Sequence, residues 1–320
     1  MPSLTVPGAP PRPPRVVVLG DLLLDVVVAP QIPLAVATDV PGRVSLRQGG
    51  SAATTARWLA RLGARSVLIT VVGRDAPGRA LLDDLRSDGV KLQASRPATG
   101  RTGRIGVIVG AGGERSFVAD RGVADALAPT DLRSAWFVRA DLLHLPIYSL
   151  LGEPLGLAGR RAVELARAAG ALVSLDLASS LPLLVDGRRA AWERVASAAP
   201  DIVFATQAEA RALLGGGSVE RLLELAPIAV VKRGPQGASV LARAGSGIGQ
   251  RIRFEVATPP IETSDTTGAG DAFDAGFLAS WLRARQAGVH LSVALRRAAL
   301  AGHRTAARQL TAPRHELALQ

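Results

Sequence analysis

The chain has 320 residues, 48% of them hydrophobic, with a formal net charge of +11 and no cysteine. This composition predicts a globular chain with a full core, and the lack of cysteine excludes disulfides and thiolate metal sites. No apolar run approaches the ~18 residues of a membrane helix, so we expect a cytoplasmic protein without a membrane partner. Aromatic residues make up only 3% and the arginines are scattered, so we expect no nucleic-acid partner, although the charge keeps a basic nucleic-acid-binding protein as an alternative.

Short apolar strands alternate with helices along most of the chain. The Pro-rich residues 1–14 are predicted to be a disordered tail, residues 15–312 a single domain, and residues 313–320 a C-terminal tail. Near-continuous apolar strands are typical of a parallel sheet covered by helices on both faces, which predicts a three-layer α/β/α doubly wound fold. The predicted strands are Val16–Leu19, Val67–Val72, Ile105–Val109, Leu142–Leu145, Leu172–Asp176, Ile202–Ala205, Ile228–Lys232 and Ala238–Leu241; the predicted helices include Arg57–Leu62, Gly78–Ser87, Gly159–Ala169, Ala208–Leu214 and Val293–Leu310.

Two segments, approximately 29–48 and 96–120, interrupt this alternation. Both are richer in Gly, Arg, Thr and alternating apolar residues, a pattern that predicts a small β-sheet. Ligands bind at the carboxyl ends of the strands in doubly wound sheets. A small sheet over that edge would therefore act as a lid.

Polar residues and glycines follow the first strand. Asp25 lies close to the end of this strand, where an acidic residue either forms a turn or binds a ligand. Further along, Gly49 and Gly50 form a turn that leads into an Ala-rich helix containing Thr54. The residue types alone leave a plain loop and packing helix as the alternative for this second segment.

Two later strands also end in polar residues. Thr206 follows the strand at 202–205, and Glu209 lies three residues further on, where an exposed helical glutamate is the alternative to a metal-binding one. Lys232 ends the strand at 228–232 and is followed by a turn with Gly234 and Gly237. A lysine at this position can bind phosphate as a point charge, and the two glycines shape the turn.

The most informative run is DTTGAGDAFDAGF, from Asp265 to Phe277, which begins a helix. Phe273, Phe277 and Trp281 recur every four residues and predict one buried stripe of that helix. The small residues between them would let the helix lie close to its neighbours.

Gly268, Ala269 and Gly270 at the start of this helix predict an anion-binding turn. The first turn of a helix leaves its N–H groups without intrahelical partners, and glycines let an oxyanion approach the backbone. Asp271 lies in the same turn, where it can accept the proton of a substrate hydroxyl during attack on a phosphate. The alternative is that Asp271 merely stabilises the helix N-terminus.

These segments together resemble the PfkB, or ribokinase-like, family of carbohydrate kinases over nearly the whole chain. Residues 265–273 match D-T-T-G-A-G-D-A-F, residues 49–63 are similar to G-G-x-x-x-N-x-A-x-x-L-x-x-L-G, and residues 20–25 are similar to G-D-x-x-x-D. The chain departs from the family where Thr54, Ala178 and Thr206 stand in place of asparagines. The resemblance implies a ribokinase-like fold with a small β lid, and ATP-dependent phosphorylation of a primary hydroxyl on a sugar or sugar-like molecule.

The resemblance also implies a role for each matched residue. These are Asp271 as catalytic base with Gly268, Ala269 and Gly270 as anion hole; Asp25, Gly49, Gly50 and Thr54 as substrate-binding residues; Thr206, Lys232, Gly234 and Gly237 as ATP-binding residues; Glu209 as a ligand of Mg²⁺ through water; and Asp265 and Thr267 as a candidate site for a monovalent cation such as K⁺. A homodimer through the lid is the candidate assembly.

Two further alternatives remain at this stage. The same family phosphorylates nucleosides, so an adenosine- or pseudouridine-type kinase is an alternative within it. A sugar or nucleotide sensor without catalysis is an alternative of another class, because the three asparagine positions have changed.

Overall fold

The computed structural model describes residues 12–110, 114–243, 251–263, 265–313 and 315–319. Most of the tail predicted at residues 1–14 lies outside the described residues. The chain is already held at its first described positions, because Arg12 pairs with Asp141 at 2.6 Å and the Pro14 carbonyl accepts from the Arg65 amide at 2.8 Å.

The described residues form thirteen strands and nine α-helices, joined by turns and short 3₁₀ helices. In chain order they are β1 (Arg15–Leu19), β2 (Leu23–Pro30), β3 (Gly42–Gly49), α1 (Ser51–Arg61), β4 (Arg65–Val71), α2 (Ala76–Ser87), β5 (Lys91–Ser95), β6 (Arg104–Val109), β7 (Arg115–Asp120), β8 (Leu142–Pro146), α3 (Leu155–Ala168), β9 (Leu172–Asp176), α4 (Ser180–Leu183), α5 (Gly187–Ser197), β10 (Ile202–Thr206), α6 (Gln207–Leu214), α7 (Leu222–Leu225), β11 (Ile228–Lys232), β12 (Ala238–Arg243), β13 (Arg251–Val256), α8 (Ala269–Gln286) and α9 (Leu291–Thr311).

Nine of these strands form the main sheet, in the order β13-β12-β11-β10-β9-β8-β1-β4-β5. The strands from β11 to β5 are parallel, whereas β12 and β13 continue the sheet in antiparallel fashion. Successive side chains of a strand point to opposite faces: Val16 and Val18 of β1 join the core under α1 and α8, while Val17 and Leu19 join the core under α3. The predicted three-layer α/β/α fold is confirmed.

The order of the strands places a crevice at one edge of this sheet. β1 pairs with β4 on one side and β8 on the other, so the chain winds outward in both directions from β1. Ligands bind at the carboxyl ends of strands at such a switch point. Asp176, Thr206 and Lys232 are the last residues of β9, β10 and β11, and all three lie at this edge.

A second sheet, which we call the lid sheet, contains four strands in the order β3-β2-β6-β7. The first pair of strands begins at Leu23, before the predicted boundary at 29. The second pair begins at Arg104, after the predicted boundary at 96. β2 pairs with β3 and with β6, and residues on one face of this sheet line the cavity described below. The opposite face exposes apolar side chains, including Val44 and Val118.

The described part of the predicted C-terminal tail lies against the lid sheet. The Leu317 amide donates to the Leu46 carbonyl of β3 at 2.8 Å, and the Leu317 side chain is buried. This contact ties the end of the chain to an edge strand of the lid sheet. Within the described ranges, none of the helices is long and apolar enough to cross a bilayer.

Helices α8 and α9 pack closely on one face of the main sheet. The predicted stripe of Phe273, Phe277 and Trp281 is buried, with Phe277 fully buried. Gly276 allows the close approach of the two helices, because a Cβ there would lie 2.7 Å from the Ala301 carbonyl oxygen of α9. This packing fixes the N-terminus of α8 at the crevice.

Candidate active site

A cavity of about 960 Å³ opens between the carboxyl edge of the main sheet and the lid sheet. Cavities of this size hold small-molecule ligands and cofactors. Most of the predicted site residues line it: Asp25, Gly49, Gly50, Thr54, Thr206, Glu209, Lys232, Asp265, Thr267, Gly268, Gly270 and Asp271. Ala269, Gly234 and Gly237 are not among the lining residues.

The predicted anion-binding turn lies at the start of α8. Gly268 has a left-handed conformation (φ 75°), which glycine adopts without a Cβ penalty. The Ala269 amide donates to the Thr266 carbonyl at 3.2 Å, so it is not a bare donor. Among the described residues, no hydrogen bond from the N–H groups of Gly270 and Asp271 is present, as expected in a first helical turn. The turn therefore offers two donors to an anion.

The Asp271 carboxyl lies beside these two donors. It accepts a short hydrogen bond from the Ser51 hydroxyl at the start of α1. Burial raises the pKa of Asp271 to about 7; the bond from Ser51 works against this shift, and the negative charge of Asp176 adds to it. Sequence reasoning missed Ser51, although it directly follows the Gly49–Gly50 turn.

Lys232 lies under the same turn, and two carboxylates bind it. Its ammonium is 3.0 Å from Asp176 Oδ1 and 3.1 Å from both carboxylate oxygens of Asp274. Burial opposes the charge, but Asp176, Asp274 and Glu209 together raise the pKa of Lys232 above its ordinary value. The lysine therefore stays protonated. We call these four residues the ion cluster.

The ion cluster contains one cation and three acidic groups. Burial and then the charge of Asp176 raise the pKa of Asp274 well above its usual value, and the same two causes raise the pKa of Glu209. Asp274 was not predicted from the sequence. The available signal was a lone acid among small and aromatic residues on a helix whose neighbouring positions are buried.

The ion cluster has more carboxyl groups than ammonium groups, and this excess fits a divalent cation held near Glu209. The Glu209 carboxylate accepts from the Thr206 amide at 2.8 Å, and the Thr206 hydroxyl accepts from the Glu209 amide at 3.2 Å. This capping box fixes Glu209 at the cavity wall. No three acidic or histidine side chains of the described ranges converge on one metal position. Mg²⁺ keeps most of its water and binds phosphates, so this donor set fits a water-mediated site.

Asp25 lies on the lid side of the cavity. Burial raises its pKa to about 7, and the charge of Asp21 adds to this shift. The Asp25 carboxyl packs against Gly49, where any Cβ would overlap it, and Gly50 needs its positive φ of 97°. The Thr54 hydroxyl donates to the Gly50 carbonyl at 3.0 Å. The two glycines thus let the backbone lie next to the buried carboxyl.

Arginines that the sequence analysis did not single out surround the outer part of the cavity. Arg47 and Arg115, on the two edge strands of the lid sheet, pair with the Asp265 carboxylate at 3.1 and 2.6 Å. Arg121 pairs with Asp21 at 3.3 Å and also with Asp125. The oxygens predicted to bind a monovalent cation at Asp265 therefore already accept hydrogen bonds from guanidinium groups and do not fit that ion.

Comparison with known proteins identifies the family of the chain. A family model described as the pfkB family carbohydrate kinase matches residues 13–315. The chain belongs to the pfkB family of carbohydrate kinases. Among pfkB relatives, the ATP-dependent ribose-1-phosphate kinase of Halopiger xanaduensis is 34% identical over 257 residues, which cover 76% of this chain and 78% of the relative. Fructokinase-1 of Oryza sativa subsp. japonica is 32% identical, covering 81% of this chain and 80% of the relative.

A solved pfkB-like structure shares the fold. The adenosine kinase from Sinorhizobium meliloti superposes with a TM-score of 0.79 over 96% of this chain and 98% of that one, at 24% identity. The predicted family, the ribokinase-like fold and the assignment as an ATP-dependent sugar kinase are confirmed. The nucleoside-kinase alternative fits the same family.

Removing the cation of the ion cluster should destabilise this pfkB kinase. In Lys232→Met, three acidic groups lose their buried partner, and breaking such a pair costs about 3–5 kcal/mol of unfolding free energy. The raised pKa values of Asp274 and Glu209 mean that the loss is larger at high pH and shrinks as pH falls and these groups bind protons. Urea unfolding at two pH values measures this difference.

Lys91→Met is the matched control, because Lys91 is the other lysine of the chain and lies exposed on β5. We expect it to change the unfolding free energy by less than about 0.5 kcal/mol. A Lys232→Met protein as stable as the wild type at alkaline pH would contradict the ion cluster.

Proposed function

We propose that this pfkB kinase transfers the γ-phosphate of ATP to a primary hydroxyl of a small sugar or sugar-like molecule, with Asp271 as the base. The observation that carries the proposal is the position of Asp271, which lines the cavity in the first turn of α8 beside the bare Gly270 amide. A carboxyl with a pKa of about 7 is ionised in much of the population at neutral pH and is basic enough to accept a proton.

The proposed step balances as a simple phosphoryl transfer. The acceptor oxygen forms a bond to the γ-phosphorus, the bond from that phosphorus to the β–γ bridging oxygen breaks, and ADP leaves with the electron pair. The hydroxyl proton passes to Asp271. The amides of Gly270 and Asp271, at the positive end of the α8 dipole, stabilise charge on the transferring group.

We propose that Asp25 and the Gly49–Gly50 turn bind the acceptor. The Asp25 carboxylate can accept from two hydroxyls, which would fix the primary hydroxyl near Asp271. The hydroxyl of Thr54 supports the turn through Gly50, so it does not replace the wider reach of an asparagine amide. Arg121 and Tyr148 both line the cavity, and Arg121 Cζ lies 5.3 Å from the centroid of the Tyr148 ring.

The ATP side lies at the ends of β10 and β11 in this proposal. Thr206 ends β10 and the turn from Gly234 to Gly237 follows β11. Glu209 would hold Mg²⁺ through water, so that the ion neutralises the triphosphate. For Lys232, predicted from the resemblance to bind ATP, we propose a supporting role. Because Asp176 and Asp274 bind its ammonium, it supports the anion-binding turn from below, where a Cβ on Gly270 would lie 3.4 Å from it.

Assembly and location stay predictions. The exposed apolar residues Val44 and Val118 on the outer face of the lid sheet are the surface that the predicted homodimer would use. The prediction of a cytoplasmic protein without a nucleic-acid partner also remains a prediction.

An acceptor panel tests the function. With ATP and Mg²⁺, ribose, fructose, ketodeoxygluconate, ribose 1-phosphate, adenosine and pseudouridine are supplied one at a time, and ADP release is measured. We expect at least one sugar to raise the rate above the acceptor-free rate by about tenfold or more, because a bound hydroxyl converts slow hydrolysis into an oriented transfer.

The other outcomes of the panel separate the alternatives. Activity with the nucleosides alone would favour the nucleoside kinase. Saturable binding of acceptors and ATP, seen as thermal stabilisation without ADP release across the panel, would favour the sensor and contradict the proposal.

Asp271→Asn tests the base. The amide keeps the shape but cannot accept the proton, so we expect kcat to fall by about 10²–10⁴ while ATP binding stays close to wild type. The unfolding free energy should not fall, because the amide removes a buried charge whose pKa is raised by burial. Asp83→Asn, on the exposed face of α2, is the control and should keep full activity. Wild-type turnover in Asp271→Asn would overturn the assignment.

The pH profile tests the environment of the base. Asp271 and Asp25 both have raised pKa values near 7, so kcat/KM should rise with pH along an acid limb near 7, to which both groups contribute. Ser51→Ala removes a hydrogen bond that lowers the pKa of Asp271, so it should move the acid limb to higher pH, while Ser51→Thr should keep it. An acid limb near pH 4, or one that Ser51→Ala leaves in place, would contradict this prediction.

The same raised pKa values set the direction of the stability change. Both folded-state values lie above the unfolded value of about 4, so the folded protein binds more protons between pH ~4 and ~7. The contribution of these two groups to the unfolding free energy is therefore present below pH ~4 and is lost as pH rises through about 7.

A further inference from the structure

The Asp265 carboxylate is bound by two side chains of the lid sheet. Arg115 Nη1 lies 2.6 Å from Asp265 Oδ1, and Arg47 Nη1 lies 3.1 Å from Asp265 Oδ2. Arg115 and Asp265 keep only 12% and 19% of their side-chain surface exposed. The two arginines stand on β7 and β3, the opposite edges of the lid sheet. Both edges of the lid sheet therefore converge on one carboxylate.

The carbonyl of Thr267, the other residue predicted for the cation site, is also bound. Gln309 of α9 donates to it from Nε2 at 3.0 Å. Trp58 of α1 holds this glutamine in place, donating from Nε1 to Gln309 Oε1 at 2.9 Å. The oxygens at Asp265 and Thr267 thus accept hydrogen bonds from N–H donors, two of which belong to charged groups. A K⁺ ion needs oxygen lone pairs that face it, and two guanidinium charges would repel it.

Asp265 in turn fixes the backbone that leads into the anion-binding turn. Asp265 Oδ1 accepts from the Thr267 amide at 3.1 Å. The carbonyl of Thr266, the residue between them, accepts from the Ala269 amide at 3.2 Å. A movement of the Asp265 carboxylate would therefore shift the first turn of α8, where Gly270 and Asp271 lie. The arginines act on this turn through Asp265 and do not touch the transferred phosphate.

We infer that Arg115 and Arg47 take the place of a monovalent cation, so that the phosphotransfer proposed above requires no K⁺, and that they are positioning residues that order the anion-binding turn when the lid sheet lies over the cavity. This inference rests on the proposed function. It differs from the expectation drawn from family resemblance, in which Asp265 and Thr267 bind the ion.

The first experiment compares wild-type activity with and without K⁺. Assays in choline chloride and in KCl at equal ionic strength, about 100 mM, keep screening constant, so any difference is specific to the ion. We expect kcat and kcat/KM to change by less than about twofold. A saturable activation by K⁺ of about tenfold or more would overturn the inference.

The second experiment removes the arginines. Arg115→Ala should lower kcat by about ten- to a hundredfold with little change in the KM for ATP, because the turn is disordered while the ATP-binding strand ends are intact. Guanidinium at low millimolar concentration, or K⁺, should restore part of the lost kcat, since either ion can bind the freed carboxylate. Arg115→Lys should keep more activity than Arg115→Ala.

Arg43→Ala is the matched control, because Arg43 lies on β3 with Arg47 but is exposed, with its guanidinium 3.9 Å from Glu316. It should behave as wild type in every assay. Equal losses in Arg43→Ala and Arg115→Ala, or an Arg115→Ala loss that neither ion restores, would leave only a general effect on the lid sheet and would contradict a positioning role.

A binding measurement separates this inference from the proposed function. An ion that binds only the folded state raises the melting temperature, whether or not any acceptor is phosphorylated. We expect KCl and choline chloride to give the same melting temperature for wild type, and KCl to stabilise Arg47→Ala/Arg115→Ala in a saturable way. Saturable K⁺ stabilisation of the wild type would overturn the inference even if no acceptor is found. If the double variant does not fold, the melting temperatures of Arg115→Lys in KCl and in choline chloride are compared instead. The single ammonium of lysine cannot reproduce the guanidinium contacts, so K⁺ should stabilise this variant more than the wild type.

Discussion

The buried ammonium of Lys232 joins the parts of the molecule that form the cavity. It ends β11, and it contacts Asp176 at the end of β9 and Asp274 in α8. A buried charge without its partner is costly, so two strands and a helix have one relative position in which these groups are satisfied. That position places Gly270 and the first turn of α8 directly above the ammonium. The anion-binding turn is therefore located by an ion pair beneath it, in addition to the packing of α8 on α9.

The surplus of acid around this single cation contributes to the raised pKa of the proposed base. Three acidic groups of the ion cluster, together with Asp271, share one buried positive charge, and the pKa of Asp271 rises to about 7 as a result of burial and of neighbouring acid. The same surplus lowers stability at neutral pH, because the folded state must hold negative charge away from water. Cations and phosphate-bound Mg²⁺ would relieve this cost on binding. Under the proposed function, the substrates would thus reduce an electrostatic cost that the folded protein carries, and this is a common relation between stability and activity.

Sequence reasoning located those parts of the site that are formed by residues adjacent in the chain. The turn at 268–271 and the strand ends at Thr206 and Lys232 follow from local residue types, and all lie at the carboxyl edge of the main sheet. It missed groups that reach the site from distant segments: Ser51 is 220 residues from Asp271, and Arg115 is 150 residues from Asp265. Nothing in the local sequence of an arginine on a lid strand says which carboxylate it will meet. The strand at 238–241 was predicted, but its antiparallel direction was not, since an apolar strand does not reveal the direction of its partner; β13 was missed.

The positive charge beside Asp265 can come from a diffusible ion or from the arginines of the lid sheet, Arg47 and Arg115, and the two differ in when they order the anion-binding turn. A diffusible ion at Asp265 would order the anion-binding turn whether the lid sheet lay over the cavity or away from it. A guanidinium carried by the lid sheet orders that turn only when the sheet covers the cavity, so the donors for the transferring phosphate are complete only in the closed enzyme. Closure also removes water that could otherwise accept the phosphate, so both effects favour transfer to a bound alcohol over hydrolysis of ATP. The position of Asp265, between two edge strands and the start of α8, would therefore link the proposed acceptor binding on the lid side to the proposed phosphate activation on the other.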